Sequence, residues 1–269
     1  MSLKELLKNK LSASQRKQVR SVINFAKSIG RGNNLTYLAK IYRSDKGSGH
    51  SYTLHYAHHF RKFRYKRIRV LEIGVGGYED PRAGGESLRM WKRYFPFANI
   101  YSIDIYDKSF SEEKRIRIFK GSQVDEVFLK EITEKTGTLD IIIDDGSHVN
   151  EHVIQTFKLL FPLLNEGGIY AIEDTQTSYW EPYGGDSNNL NNPTTMMSFF
   201  KTLSDGVNHK EFIRPGYEPS YFDRHITSVH FYHNLIFVYK GQNVEESNLI
   251  KNNENQSVIS EWAKQTNTN

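Results

Sequence analysis

Acidic residues follow two predicted strands of the sequence at the point where each strand ends. Asp144 and Asp145 open the segment DDGSH after an Ile-rich strand, and Glu173 and Asp174 follow the next strand along the chain. A single predicted helix separates the two strands, so we expect them to be parallel neighbours whose carboxyl ends meet at one edge of a sheet. Carboxylates that meet there repel one another unless a divalent cation compensates their charge.

The chemistry of these side chains indicates the kind of cation. Oxygen ligands favour Mg²⁺ or a similar hard ion over zinc. The chain has no cysteine, which excludes thiolate zinc ligands and thiolate nucleophiles. We therefore predict Asp145, Glu173 and Asp174 as metal ligands. Two roles stay open for Asp144, which either faces a cofactor or caps the following helix.

His148 lies three residues after Asp145, at the predicted start of that helix. An imidazole at this place can reach a substrate bound to the same cation. We therefore predict that His148 is a general base.

A glycine-rich segment, LEIGVGG at 71–77, ends the first predicted strand. Gly74 and Gly76 allow the backbone to pass close to a ligand at the carboxyl edge of the sheet. Residues 78–85 then intervene before the next helix, whereas in a dinucleotide-binding motif a glycine opens the helix directly. The pattern therefore argues against an NAD enzyme.

Four further residues near strand ends could bind a nucleoside cofactor. Asp104 ends the second strand and is suited to accept hydrogen bonds from two ribose hydroxyls, while Glu72 offers a carboxylate to a cationic amino-acid group. Ser122 and Gln123 follow the third strand, where they could contact an adenine. A plain turn is the alternative for this pair.

Strands and helices alternate through the middle of the chain. The predicted strands are nearly pure Ile, Leu and Val, which is typical of a parallel sheet buried on both faces; they lie at 68–73, 100–105, 116–119, 139–143 and 169–172. Two further strands, 226–232 and 235–239, form an antiparallel hairpin. This α/β pattern, a mostly parallel seven-stranded sheet with a C-terminal hairpin, is the architecture of Rossmann-like methyltransferases, and other nucleotide-binding folds share it.

Charge and composition divide the chain into three parts: a basic helical arm at 1–45, a main domain at 46–240 with a lid at about 175–220, and a polar tail at 241–269 that we expect to be frayed. Residues 1–32 hold eight basic residues and one acidic residue, although the net charge of the whole chain is only +5. Because the basicity belongs to the arm, we expect no nucleic-acid partner.

The arm has apolar residues at helical spacing. We expect this amphipathic helix to pack on its own domain or on a second subunit of a homo-oligomer, with contact to a membrane surface as the alternative. The sequence has no apolar stretch typical of a transmembrane helix or a signal peptide, so we expect a cytoplasmic protein.

Several motifs occur in order over about residues 35–240: SDKGSGHSYTLHYAHHF, LEIGVGGYEDPRAGGESLRMWKRYFP, SIDIYDKS, IIDDGSHVNEHVIQTFKLLFPLL, GGIYAIEDTQTSYW and HFYHNLIFVYKG. Together they resemble the metal-dependent macrolide-sugar O-methyltransferases of the mycinamicin type. The resemblance implies a class I methyltransferase that uses S-adenosyl-L-methionine (SAM), with Mg²⁺ at the three predicted ligands and His148 as the base. It also implies cofactor contacts at Glu72, Gly74, Gly76, Tyr78, Ser87, Asp104, Ser122, Gln123 and Asp145.

The function implied is transfer of the SAM methyl group to a sugar hydroxyl of a glycan or a glycosylated natural product. Tyr179 and Trp180, immediately after the predicted ligands, would stack against the sugar. Two alternatives stay open: a non-catalytic SAM- or nucleotide-binding module that docks on membrane or RNA through its arm, and a catechol-type small-molecule O-methyltransferase.

Overall fold

The computed structural model describes residues 11–47, 49–254 and 257–266. The first ten residues of the predicted arm, including the run Leu3, Leu6 and Leu7, lie outside the described residues. Described helices are α1 Ala13–Lys27, α2 Leu35–Tyr42, α3 Thr53–Phe60, α4 Glu86–Tyr94, α5 Glu126–Thr136, α6 Asn150–Leu160, α7 Met196–Val207, α8 Tyr221–His225 and α9 Ser257–Thr266. Described strands are β1 Arg69–Ile73, β2 Asn99–Asp104, β3 Ile116–Lys120, β4 Leu139–Asp144, β5 Leu164–Glu173, β6 Ile226–Tyr232 and β7 Leu235–Lys240.

The seven strands have the order β3-β2-β1-β4-β5-β7-β6. β2 with β3, β1 with β4, and β4 with β5 pair in parallel, whereas β7 is antiparallel to both β5 and β6. The predicted fold class, a mostly parallel α/β sheet with a C-terminal antiparallel hairpin, is confirmed.

The chain divides into two compact units. Unit 1 comprises Met1–Arg69 and Val75–Lys120, and unit 2 comprises Val70–Gly74 and Gly121–Asn269. The domain boundaries at residues 45 and 240 stay predictions from the sequence.

The core of unit 1 is aromatic. Tyr56 and Phe60 of α3 are fully buried, and their rings lie 5.1 Å and 5.8 Å from the ring of Trp91 on α4. Residues Leu35, Leu38 and Ala39 of α2 are also buried. The second half of the predicted arm is therefore part of the hydrophobic core of unit 1.

The predicted helix of the arm is present as α1, and it contacts unit 1 through polar residues. Lys17 and Ser28 contact the rest of unit 1, whereas Val22, Ile23 and Phe25 are exposed. Hydrophobic periodicity does not reveal these polar contacts. Packing of the apolar residues on a second subunit and contact with a membrane surface stay predictions.

Unit 2 is built around the buried strands β4 and β5. The ring of Phe157 on α6 lies 5.0 Å from the rings of both Tyr170 on β5 and Phe200 on α7. Through these contacts the helix that follows β4 and the helix of the predicted lid share one core with the sheet.

The predicted frayed tail is ordered over most of its described length. The side-chain amide of Asn243 donates to the backbone carbonyls of Val207 and Asp223, and that of Asn253 donates to the carbonyls of His209 and Phe212. Helix α9 follows these anchors. The expectation of fraying is wrong because asparagine side chains in this segment bond to distant backbone groups.

None of the described helices combines the length and the apolar character that crossing a bilayer requires.

Candidate active site

The strand register places three acidic side chains on one face of the sheet in unit 2. Glu72 pairs with Ile143, and Asp144 pairs with Ile172, so that Asp145 lies level with Glu173. Because side chains alternate between faces along a strand, Glu72, Asp145 and Glu173 point to the same side. The expected meeting of acidic groups at the strand ends is thus present.

The side-chain atoms form two overlapping groups with metal-ligand spacing. One oxygen from each of Glu72, Asp145 and Glu173 lies within 4.8 Å of the others. A second group of the same tightness combines Asp145 and Asp174 with a ring nitrogen of His148. Asp145 belongs to both groups and is therefore the centre of the constellation.

Asp144 points to the opposite face and is buried. Tyr170 Oη donates to its Oδ2 over 3.3 Å, and Gln123 Nε2 donates to its Oδ1 over 3.3 Å. Burial raises the pKa of Asp144 to about 7, against the lowering effect of hydrogen bonds from the Gly146 backbone and Tyr170. The suggested capping role is wrong, because no side chain caps the start of α6.

His148 and Asp174 both have left-handed backbone conformations, with φ values of 55° and 53°. Such conformations are uncommon for residues other than glycine and often occur at functional sites. The buried hydroxyl of Thr177 lies 2.8 Å from the carbonyl oxygen of His148 and 3.2 Å from that of Asp174. Thr177 therefore ties together the two turns that carry these side chains, a role the sequence did not reveal.

Asn150, the first residue of α6, holds the segment that follows Asp174. Its Nδ2 donates to the carbonyls of Thr177 and Tyr183 over 3.0 Å and 2.9 Å, and its Oδ1 accepts from the backbone N–H of Met196 over 2.7 Å. The buried side-chain amide of Asn150, which lies two residues after His148, thus fixes three points of the predicted lid. The role of Asn150 could not be predicted from the sequence, because its partners lie 27 to 46 positions away.

Gln123 is nearly buried and shapes the loop that carries Asp145. In addition to its bond to Asp144, its Nε2 donates to Thr156 Oγ1, and its Oε1 accepts from the backbone N–H of Ser147. Contact of Gln123 and the half-buried Ser122 with an adenine stays a prediction.

Gly74 allows two loops of unit 2 to approach. Its φ is +90°, and a Cβ at this position would overlap the carbonyl oxygen of Asp145. The backbone N–H of Asp145 in turn donates to the carbonyl of Ile73 over 3.1 Å. Glycine at position 74 is therefore required to place the central carboxylate.

In unit 1, Asp104 organises the rest of the glycine-rich segment. Its Oδ2 accepts from the backbone N–H of Val75 over 2.9 Å, and its Oδ1 accepts from that of Tyr106 over 2.9 Å. The φ of Gly76 is +78°, and nothing lies within 4 Å of the position a Cβ would occupy. A ligand could therefore approach the backbone there.

The remaining predicted residues are accessible to differing degrees. Tyr78 is 87% exposed, and Ser87 is half-buried in the first turn of α4. In unit 2, Tyr179 is 39% and Trp180 49% exposed, and the Trp180 ring lies 6.1 Å from that of Tyr183. Cofactor contact for the first pair and sugar contact for the second pair stay predictions.

The donor set fits a hard divalent cation. Asp145 lies with Glu72 and Glu173 in one group and with Asp174 and His148 in the other, so that Glu173 and Asp174 are each grouped with Asp145 but not with each other. The carboxylates of both groups offer oxygen atoms, the ligands that a hard cation prefers. Such a concentration of like charge in a partly buried place is costly unless a cation balances it.

Comparison with known proteins gives the family context. No protein-family model matches the sequence. The chain is 47% identical over 214 residues to demethylmacrocin O-methyltransferase of Streptomyces fradiae and, over the same length, to mycinamicin VI 2''-O-methyltransferase of Micromonospora griseorubida. Each match covers 79% of this chain and 54% of the relative. This chain is a homologue of sugar O-methyltransferases. It spans about half the length of the curated relatives it matches.

A solved homologue has the same fold. The MycE methyltransferase of the mycinamycin biosynthetic pathway, solved in complex with Mg, SAH and mycinamycin VI, is 46% identical with a TM-score of 0.76. The match covers 79% of this chain and 55% of MycE. The predicted resemblance to the metal-dependent sugar O-methyltransferases is confirmed.

Replacement of the central carboxylate tests the metal site. We expect Asp145→Asn to weaken Mn²⁺ binding, measured by calorimetry, at least about tenfold, because it removes the ligand common to both groups. Without divalent ions the variant should be at least as stable as the wild type, since one repelling charge is gone. Asp205→Asn, at an exposed position of α7, is the control and should bind Mn²⁺ normally. Equal Mn²⁺ affinity of Asp145→Asn and the wild type would contradict the assignment.

Replacement of Asn150 tests the anchoring of the lid. We expect Asn150→Ala to lower the free energy of unfolding by about 2 kcal/mol or more, because buried backbone groups lose their partners. Limited proteolysis should also cut residues 184–195 faster than in the wild type. Asn208→Ala, which removes an exposed amide that bonds only within its own turn, should change neither measurement. Unchanged proteolysis of Asn150→Ala would show that other contacts hold the segment.

Proposed function

We propose that this chain is a SAM- and Mg²⁺-dependent O-methyltransferase that methylates a sugar hydroxyl of a glycan or a glycosylated natural product. The observation that carries the proposal is that Asp145 belongs both to a three-carboxylate group and to a group that contains His148. The relatives support the reaction type. Because they are named for different acceptors, we propose the sugar class and no individual acceptor.

We assign Asp145, Glu173 and Asp174 as the residues that hold the metal. Glu72 lies in the same carboxylate cluster, where it adds negative charge to the region. When bound, Mg²⁺ makes an acceptor hydroxyl easier to deprotonate, and SAM supplies the methyl group.

His148 is proposed to accept the acceptor's proton at Nε2. This atom lies 3.6 Å from Asp174 Oδ2 and 4.0 Å from Asp145 Oδ1. The ring position depends on the left-handed backbone at His148, to which Thr177 is bonded. These contacts hold the proposed base, His148, in a fixed position next to the proposed metal ligands.

The proposed cofactor contacts come from the two ends of the glycine-rich segment. In unit 2 we assign Glu72 to the cationic amino-acid group and Gly74 and Asp145 to the adjoining loop. In unit 1 we assign Asp104 to the ribose. The bond from the Val75 backbone to Asp104 supports this role, because it fixes the carboxylate relative to the open backbone at Gly76.

The acceptor is proposed to stack on exposed aromatic rings. Trp180 follows the short helix Thr175–Tyr179, which begins directly after Asp174. Its partly exposed ring suits the apolar face of a pyranose. A homo-oligomeric state and a cytoplasmic location stay predictions from the sequence.

A base replacement tests the mechanism. We expect His148→Gln to slow methyl transfer from SAM by about 10²- to 10⁴-fold, because the hydroxyl proton loses its acceptor. The assay uses mycinamicin VI, demethylmacrocin, simple rhamnosides and a catechol as acceptors. Binding of Mn²⁺ and SAM should change by only a few fold.

His233→Gln, in the exposed turn between β6 and β7, is the matched control and should keep full activity. Retention of more than about a tenth of the wild-type rate by His148→Gln would exclude it as the base. Preference for the catechol over every sugar would favour the small-molecule alternative. SAM binding without turnover on any acceptor would favour the non-catalytic module.

An aromatic replacement tests the acceptor site. We expect Trp180→Ala to raise the KM for the sugar acceptor about tenfold, the loss of a stacking contact worth about 1.4 kcal/mol. The KM for SAM should not change. Trp262→Ala, on α9, removes a ring of similar exposure, 56% against 49%, and should leave both constants unchanged. An unaltered acceptor KM in Trp180→Ala would place the sugar elsewhere.

A further inference from the structure

Helix α1 contacts unit 1 through its polar side. Its less exposed residues recur at helical spacing and are Ala13, Lys17, Ser21 and Asn24, followed by the buried Ser28. The opposite side carries Val19, Val22, Ile23, Ala26 and, just beyond the helix, Ile29. Val22 is 69% exposed and Ile29 66% exposed. An amphipathic helix of a globular protein normally has the reverse orientation.

Specific bonds fix this orientation. Lys17 Nζ donates to the carbonyl oxygens of Phe110 and Glu112 over 2.5 Å and 3.0 Å. At the other end of the helix, Arg93 donates to the hydroxyl and the carbonyl of Ser28. Because both ends of the polar side are anchored, the apolar side is held outward, and we call it the outer face of α1.

The charged residues around this face are mostly basic. Residues 11–44 contain seven basic residues and no acidic residue. Helical spacing places Arg16, Arg20 and Lys27 along one flank of the outer face. The other flank, at Val22 and Phe25, borders a surface pocket of about 410 Å³. Its lining includes four basic residues, namely Arg89, Lys92, Arg93 and Arg115, and one acidic residue, Glu113.

We propose that the outer face of α1 docks on an anionic lipid membrane. Apolar side chains flanked by basic residues suit the boundary between lipid headgroups and acyl chains, and the cations attract anionic headgroups. A second copy of the chain docked through the same face would present the same predominantly basic surface, so like charges would meet. A nucleic acid would match the charge but would leave the apolar residues uncovered. This inference goes beyond the proposed methyl transfer and does not depend on it.

Vesicle flotation with the full chain tests the proposal. We expect the protein to float with vesicles of phosphatidylcholine containing 30% phosphatidylglycerol, a composition of about physiological anionic content, and to stay unbound with pure phosphatidylcholine. The combined change Val22→Asn and Ile23→Asn should weaken binding to anionic vesicles at least about tenfold. The combined change Arg20→Gln and Lys27→Gln should have an effect of about that size, which high salt should mimic.

Two control variants match these changes elsewhere on the surface. Val127→Asn alters a valine of α5 that is 70% exposed, and Lys130→Gln removes an exposed charge from the same helix. Both should float like the wild type, and thermal unfolding should show that all variants are folded.

The proposal would be overturned if the wild type showed no preference for anionic vesicles, or if the Val22 and Ile23 variant floated normally. It would also be overturned if neither the wild type nor this variant bound vesicles and the wild type instead formed a homo-oligomer that the Val22 and Ile23 changes dissociate. A further contradicting result would be binding of RNA in place of vesicles, if the Arg20 and Lys27 variant lost this binding and the Val22 and Ile23 variant kept it. Because no acceptor or SAM is present, failure here leaves the proposed methyl transfer standing.

Discussion

Repulsion between carboxylates at the ends of neighbouring strands is the constraint on which the site depends. Two unit charges about 4 Å apart in partly buried surroundings repel by roughly 4 kcal/mol. One oxygen from each of Glu72, Asp145 and Glu173 lies within 4.8 Å of the others, and an oxygen of Asp174 lies within the same distance of Asp145. A fold that brings them together must therefore hold their backbones firmly, and it gains from a cation that balances their charge.

The surrounding contacts supply this support. The alternation of side chains along β4 sends Asp144 to the far side, where Tyr170 and Gln123 bind it, and sends Asp145 into the cluster. Gly74 lets the backbone of Asp145 come close to β1. Thr177 and Asn150 then connect the loop after β4 to the segment after β5. The backbone segments that carry Asp145, His148 and Asp174 are thus tied together by hydrogen bonds to backbone atoms.

The sequence predicted the parts of this site that follow from local pattern. The parallel strands are visible as Ile-rich runs, and their shared edge predicts that Asp145 lies near Glu173. The roles of Asn150 and Thr177 could not be predicted, because their bonds join segments that are distant in sequence. Polar contacts also explain why periodicity and composition were poor guides at the two ends of the chain. Lys17 holds the polar side of α1 against unit 1, and Asn243 and Asn253 order a segment whose composition suggested fraying.

The position of a bound divalent ion tests the central claim most directly. Crystals soaked in Mn²⁺ and measured near the manganese absorption edge would locate the ion by its anomalous scattering. We predict one strong peak within coordination distance of Asp145, with further ligands from Glu173 and Asp174 and with His148 beside it. An absence of any peak at Asp145, or a strong peak elsewhere with these carboxylates turned apart, would contradict the account.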